Sequence, residues 1–383
     1  MTAALPVRPA LLALAPMVRA GTTPLRLLAL QYGADLVYTE EIIDRRMMAC
    51  RRSDNRLLQS TDFHDASGRL CLRIADVERQ KVIFQLGSAD PAQALAAALK
   101  VQHDVAGIDL NAGCPKHFST HGGMGAKLLS TPEKLVAILN TLCDHIQHIP
   151  ISVKIRLLPD EKETFSLLKE ILSTKIQRLA IHFRYPSMTP SQKALWEQIT
   201  PVLNFIAEQP HRPSVVLLNG DLFTSACAEK VRQAHVFPTP LSVGFMLARG
   251  AQVNPSVFAT LLPDSDERFR LYRCASKDII RQILRLAARY DIPYQNAKWV
   301  TLGMWDNAQV KKTATTSEAN RKRKRDEAES KEDAEEEVLP PTEVSKQERI
   351  QCREAMSRSR NMQELLYPMC LLYSGLDQTH PLC

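Results

Sequence analysis

The stretch Gly107-Ile108-Asp109-Leu110-Asn111-Ala112-Gly113-Cys114-Pro115-Lys116 decides how the chain is read. Its apolar run up to Asn111 fits a buried parallel strand. Ala112-Gly113 and Cys114-Pro115 end that strand, because glycine is conformationally permissive and proline has no amide donor. Cys114 is therefore delivered on a loop at the carboxyl edge of a strand, where parallel α/β folds bind their ligands. A thiol there is placed for reaction; the other reading of an isolated cysteine is a small buried packing residue. The loop continues through Gly122-Gly123-Met124-Gly125, a composition that suggests a mobile lid.

Outward from this strand, short apolar runs alternate with helical patterns. Strands are expected at Leu11 to Met17, Asp35 to Tyr38, Val82 to Leu86, Gly107 to Leu110, Ile151 to Leu157, Leu179 to His182, Val215 to Leu218 and Leu241 to Met246. Helices are expected from Thr23-Pro24, at Pro91 to Val101 after Asp90, at Pro132 to Ile146, and around Ser166 to Leu172, Gln192 to Ala207 and Phe223 to Arg232. Eight such units in roughly 250 residues predict an α/β protein of the (β/α)8 TIM-barrel class. The rival, a doubly wound open sheet, lacks its GxGxxG turn, since Arg19-Ala20-Gly21-Thr22 does not supply one. In a barrel, Met17, Gln85, Asn111, Lys154, His182, Asn219 and Arg249 share one mouth.

From about Asp264 only helical patterning remains, so a smaller C-terminal helical domain is expected, with residues 1–262 forming the barrel and 263–383 the second domain. Residues 313–341 hold the run Arg321-Lys322-Arg323-Lys324-Arg325 and then an acidic block, almost without apolar residues, which predicts disorder. The run 321–325 reads either as a nuclear import signal or as part of a charge-balanced linker, giving a cytoplasmic or nuclear location. In the helix ending near Tyr290, Lys277, Arg281, Arg285 and Arg289 recur every four residues opposite Ile280, Ile283, Leu284 and Ala287. This basic stripe reads as an RNA path, with Lys298 beyond it, or as a solvated face.

The chain of 383 residues is 45% hydrophobic and carries a net charge of +7, which allows a sizeable core and favours an anionic partner. Its 9 cysteines form no CxxC pair and no zinc-spaced cluster, so free thiols, a reducing compartment and no metal are expected. His117 and His121 are spaced as a metal pair, but the neighbouring glycines argue against the helix that pairing needs. The apolar stretches fall short of the roughly 20 residues a membrane helix requires.

The segments Asn111 to Lys116, Ala15-Pro16-Met17-Val18, Ser152 to Arg156, Ile181-His182-Phe183-Arg184 and Leu218-Asn219-Gly220-Asp221 together resemble the tRNA dihydrouridine synthases. The string Ser119 to Ala126 looks like the eukaryotic branch acting on position 20 of the tRNA D-loop. The resemblance covers about residues 10 to 300. It departs at Phe183 and Ala248, where the family commonly has glycine, and at His121, where a basic residue is frequent.

The resemblance implies a monomeric enzyme that reduces the uracil 5,6 double bond in tRNA. NADPH (or NADH) is the reductant of a flavin mononucleotide, FMN, hydride goes to C6, and Cys114 protonates C5 as general acid. A thiol, mostly protonated at neutral pH, can serve in that role without special burial. FMN is expected against Pro16, Met17, Val18, Gln85, Asn111, Lys154 and His182. Its phosphate is expected at Asn219-Gly220-Asp221 and Ala248-Arg249, after strands seven and eight. Lys154 can place charge beside the reduced flavin or pair with a core carboxylate; Gln85, Asn111 and His182 can equally be packed strand-end side chains. Three alternatives stand beside this reading: an FMN barrel acting on free pyrimidines, an RNA-binding protein without catalysis, and a cysteine hydrolase.

Overall fold

The computed structural model describes residues 10–261, 276–304 and 346–365. The chain divides into two units, residues 1–273 and 274–383. The expected boundary at 262/263 falls in a stretch outside the described residues, as does the charged segment 313–341.

In the first unit, β1 (Leu12–Leu14) and β2 (Leu36–Ile43) are followed by three short strands, β3 (Arg51–Asn55), β4 (Ser60–His64) and β5 (Leu70–Ala75). Then come β6 (Val82–Gly87), β7 (Gly107–Ala112), β8 (Ile151–Arg156), β9 (Arg178–His182), β10 (Val215–Asn219) and β11 (Val243–Leu247). Eight of these close into a parallel barrel in the order β1-β11-β10-β9-β8-β7-β6-β2. It is the (β/α)8 fold that the alternation of the sequence predicts. Its interior is plugged by small and large side chains from different strands, among them Ala13, Tyr38, Ile83, Ala180, Leu217 and Met246.

Three helices begin where the expected start signals place them, and those expected around Ser166 and Phe223 begin at Glu161 and Ser225. Proline opens α1 (Thr23–Gln31), the helix Pro91–Val101 and the helix Pro132–His145. Asp90, Asp160 and Thr224 cap their helices by accepting from the backbone amides of Gln93, Lys162 and Cys227. The helix expected at Gln192 to Ala207 begins later, at Ile199, leaving a loop from 183 to 195 over the barrel end. Arg249 stands not on a strand but at the first position of a short helix, Arg249–Val253.

The antiparallel sheet β3-β4-β5 is an addition that the sequence reading did not anticipate. Its first strand is Arg-Arg-Ser-Asp-Asn and solvent-exposed, so no hydrophobic alternation marks it. Buried charge anchors the region. The Arg26 guanidinium forms a bidentate pair with Glu78 at 2.7 Å and donates to the carbonyls of Gly21 and Arg73. Arg73 is paired in turn with Asp62 at 2.6 Å.

In the second unit the described helices are Ser276–Arg289, residues 294–304, Lys346–Arg358 and a last turn at 362–365. Ile279, Ile280, Ile283, Leu284 and Ala287 bury one face of the first, as its periodicity predicts. Tyr294 Oη donates to the Ser359 carbonyl oxygen, and Lys298 Nζ donates to the same atom at 2.8 Å.

Candidate active site

Strand register assembles the site. Glu41 stands beside Gln85 and Gln85 beside Asp109; Asn111 stands beside Lys154; Arg156, His182 and Asn219 are aligned across β8, β9 and β10. Parallel strands in such register bring residues distant in the sequence to one end of the barrel. There they line a cavity of about 590 Å³. Of the expected residues, Pro16, Val18, Gln85, Asn111, Cys114, Lys154, His182, Asn219 and Ala248 line it. Gly220, Asp221 and Arg249 line an adjoining hollow of about 180 Å³, which shares Arg156, His182, Asn219 and Ala248 with the cavity. Met17 lines neither; its carbonyl accepts from the amides of Ala20 and Gly21 and closes the turn after β1.

The loop carrying Cys114 is held by its own strand. Asn111 Oδ1 accepts from the amides of Gly113 and Cys114, each at 3.1 Å, and Asn111 Nδ2 reaches Ser119 Oγ at 3.5 Å. Arg156 donates to the Gly113 carbonyl at 2.8 Å and to the Tyr185 carbonyl at 2.9 Å, tying the Cys114 loop to the loop after β9. Gly125, at φ 58°, is packed rather than open: a Cβ there would lie 2.3 Å from Ser119 Oγ and 2.6 Å from the Cys114 carbonyl. Burial is the main force raising the Cys114 thiol pKa, with Glu41 adding to it. The Lys116 amide, the Ser119 hydroxyl and Lys154 pull the other way. The thiol holds its proton at neutral pH.

The opposite wall is cationic. Burial brings the Lys154 amine down to about 8, and Arg156 adds to the effect while Asp109 and Cys114 oppose it. Lys154 makes no hydrogen bond to another described residue, although it lines the cavity. The carboxylate of Asp109 is engaged elsewhere, accepting from Ser152 Oγ at 2.7 Å and Gln85 Nε2 at 2.9 Å. Burial raises the Asp109 pKa to about 6. Burial, then Lys154, Arg156, Arg184 and Arg249, hold His182 far below its ordinary pKa, so the ring is neutral. Arg184 donates to His182 Nε2 at 3.0 Å, which leaves the ring proton on Nδ1.

Around the smaller hollow, Asp221 ties three partners together. Its Oδ1 accepts from Arg184 Nη2 and from Arg249 Nη2, the latter at 2.7 Å, and its Oδ2 accepts from the Ala194 amide at 2.7 Å. Arg249 also lies over the Phe223 ring, 5.0 Å from its centre. Asn219 Nδ2 donates to the Met246 carbonyl at 2.8 Å, joining β10 to β11 below the hollow. Phe183, where the resembled family has glycine, is fully buried and tilts against Trp196. The loop after β9 is thereby anchored by packing.

Several cavity residues escaped the sequence reading, among them Glu41, Arg156, Phe118 and Met188. Glu41 was missed because β2 runs to Ile43, well past the apolar run that marks it. Arg156 was quoted only within a motif. Phe118 and Met188 sit on loops whose path no periodicity reveals. The helical turn that the glycines seemed to forbid does form, at His117–Thr120, and the His117 and His121 rings lie 5.1 Å apart. Among the described residues no group of three or more metal-ligating side chains occurs, and no helix is long and apolar enough to cross a membrane. In the second unit Arg281 and Arg285 are half-buried, and Arg289 is exposed beside the Tyr290 ring. The Lys277 side chain lies outside the described residues. Lys298 spends its amine on Ser359.

A closed parallel barrel whose carboxyl mouth holds a loop thiol and a half-buried lysine in one cavity defines a (β/α)8-barrel enzyme. The model of the dihydrouridine synthase (Dus) family matches residues 13–339. This chain belongs to that family. It is 39% identical over 305 residues to the tRNA-dihydrouridine(20) synthase (NAD(P)+) of Saccharomyces cerevisiae, covering 76% of this chain and 75% of the relative. To the protein of the same name in Schizosaccharomyces pombe it is 36% identical, over 75% of this chain and 57% of the relative. The tRNA-dihydrouridine(16/17) synthase of Saccharomyces cerevisiae is 26% identical, over 64% of this chain and 53% of the relative.

Proposed function

We propose that this chain reduces a D-loop uridine of tRNA, at position 20, to dihydrouridine, with FMN held in the barrel mouth and NADPH or NADH as the reductant. The observation that carries the reading is the Cys114 thiol, fixed by Asn111 at the edge of a cavity whose far wall is Lys154, Arg156 and neutral His182. The higher identity to the two synthases named for position 20 than to the one named for 16/17 supports the choice of nucleotide.

The residues present fit an anionic flavin. Lys154 is half-buried, and its amine opens on the cavity without a hydrogen-bond partner among the described residues, which suits an amine facing negative charge on a ligand. Arg249 and Gly220 border a hollow suited to a phosphate; the positive φ of Gly220, 132°, admits close backbone approach there. When bound, the flavin supplies the hydride and is recharged by the nicotinamide nucleotide. Everything else falls to the chain. Gln85 and Asn111 offer amides at the cavity edge, although each also has a structural bond. Cys114 holds at Sγ the proton destined for uracil C5, and Lys154 and Arg156 stabilise the thiolate left behind. A uridine inside folded RNA must be extruded to reach this mouth, with the basic helix Ser276–Arg289 as the tRNA contact.

The purified protein is expected to show a flavin spectrum. With tRNA lacking dihydrouridine it should oxidise NADPH and form dihydrouridine at position 20. A colourless protein that cannot be loaded with FMN, or one that reduces free uracil and ignores tRNA, overturns the reading.

A further inference from the structure

The rim of the main cavity is apolar where the loops after β1 and β7 meet solvent. Val18 and Phe118 line the cavity and are 43% and 45% exposed. Phe223, also exposed, borders the adjoining hollow. Both exposed phenylalanines among the described residues therefore stand at this one mouth. Single exposed apolar side chains are ordinary on a protein surface, whereas rings gathered round a site mark a binding face. Arg249 lies over the Phe223 ring. The Phe118 ring has no aromatic or cationic partner among the described residues, and it stands on the same loop as Cys114.

The turn that carries Phe118 is fixed from its inner side. The amides of Thr120 and His121 donate to the carbonyls of Lys116 and His117, at 3.0 and 2.8 Å. Ser119, the next residue, is fully buried, and its Oγ donates to Glu41 Oε1 on β2 at 2.7 Å. Two glycines make room for that bond: a Cβ on Gly87 would lie 2.6 Å from Glu41 Oε1, and one on Gly125 would lie 2.3 Å from Ser119 Oγ. With Ser119 drawn inward, its neighbour Phe118 is left on the outer side of the turn. A ring presented from so fixed a backbone gives up little freedom when a flat partner lies on it. Lys116 is exposed beside the ring, and Lys154 and Arg156 line the same cavity, which favours a partner that carries negative charge. A nucleobase on its phosphate backbone is flat and anionic together.

We propose that Phe118 stacks on a base flanking the target uridine, taking the place of the neighbour which that base loses when the uridine enters the mouth. The inference rests on the functional reading above. A base drawn out of folded RNA leaves its neighbours unstacked, and that loss opposes extrusion. An aromatic ring at the rim offsets it without reading sequence, because every base has a π-face. Phe118 is a positioning residue, holding the RNA at the rim; Cys114 remains the acid.

The test is a titration of full-length, flavin-loaded protein with tRNA lacking dihydrouridine, repeated over a series of salt concentrations. Phe118→Ala should weaken binding about 5- to 150-fold, the range for losing one base–aromatic stack. Phe118→Trp should bind within about threefold of wild type, and Phe118→Leu, apolar but without a π-face, should lose most of what Phe118→Ala loses. The salt slope should stay at the wild-type value in all three, since no phosphate contact is removed. Flavin content and reduction by NADPH without tRNA should also match wild type.

A second arm identifies the partner. The same tRNA is made with an abasic nucleotide on one side or the other of the target uridine. One of the two should cost the wild-type protein about what Phe118→Ala costs, and should bind Phe118→Ala no worse than intact tRNA does. Normal binding by Phe118→Ala, a Leu variant equal to wild type, a changed salt slope, a loss that falls on flavin reduction, or an abasic penalty that adds to the Phe118→Ala penalty on both sides overturns the stack. A wild-type protein that neither binds tRNA nor forms dihydrouridine overturns the functional reading along with it, whereas an active wild type whose Phe118 variants bind normally overturns the stack alone.

Discussion

At the scale of single residues, two side chains carry most of the chemistry. Cys114→Ala removes the proton donor and leaves the barrel intact. Dihydrouridine formation should fall about 10²- to 10⁴-fold, with flavin content and reduction by NADPH unchanged. A variant within about threefold of wild type would remove Cys114 from the mechanism. Lys154 offers a pH signature. It releases its proton at about 8 in the folded protein against 10.5 when exposed. Between those values the unfolded chain binds more protons, so stability of the flavin-free protein should rise with pH there. Lys154→Met should flatten that rise in urea midpoints. It should also lower flavin content, and in the native protein flavin affinity should weaken as pH climbs through about 8 and the amine loses its charge. The reactive cysteine was legible from its Gly and Pro neighbours alone. Glu41 was not, because its place in the cavity and its bond from Ser119 arise only on folding.

At the scale of elements, the loop after β7 is a packed turn. Gly125→Ala has no room beside Ser119 Oγ and the Cys114 carbonyl, and it adds a side chain at positive φ. It should cost about 1–3 kcal/mol of stability and reduce product formation more than flavin binding, since the displaced part is the loop of the acid. The mobile lid suggested by Gly122 to Gly125 is thus held at its last glycine by close contact. The sheet β3-β4-β5 is anchored by two buried ion pairs, Arg26–Glu78 at its base and Arg73–Asp62 within it. Glu78→Ala leaves Arg26 charged and buried with only neutral partners, the Gly21 and Arg73 carbonyls and the Thr23 hydroxyl, which should lower stability by about 3–5 kcal/mol in urea unfolding. That sheet was invisible to periodicity because its strands are short and its outer one is polar throughout. The barrel strands were visible because both of their faces are buried, so each reads as an apolar run.

At the scale of the whole molecule, the two units divide the work in the functional reading: the barrel for chemistry, the helical unit for RNA. Replacing Arg281 and Arg285 by Ala removes two charges from the helix Ser276–Arg289. Binding to all tRNAs should weaken alike, the salt slope should flatten by up to about two units, and NADPH-dependent flavin reduction should be untouched. An unchanged slope would move the RNA path elsewhere. Lys298 is a poor substitute, since its amine is bonded to the Ser359 carbonyl.

The sequence by itself determined the barrel class, the strand that presents Cys114 and a set of strand-end residues that gather at the mouth. These follow from local rules: apolar runs set the strands, glycine and proline set their ends, and a parallel barrel sends those ends to one rim. Tertiary structure alone decided how those residues are wired. Arg156 ties two loops, Asp221 gathers Arg184, Arg249 and the Ala194 amide, and Ser119 bonds to Glu41. It also decided that Met17 closes the turn after β1 with its carbonyl and is not among the residues lining the cavity. The physical reason is common to all four. Hydrogen bonds and burial depend on distances between residues far apart in the chain, and those distances exist only once strand register is fixed.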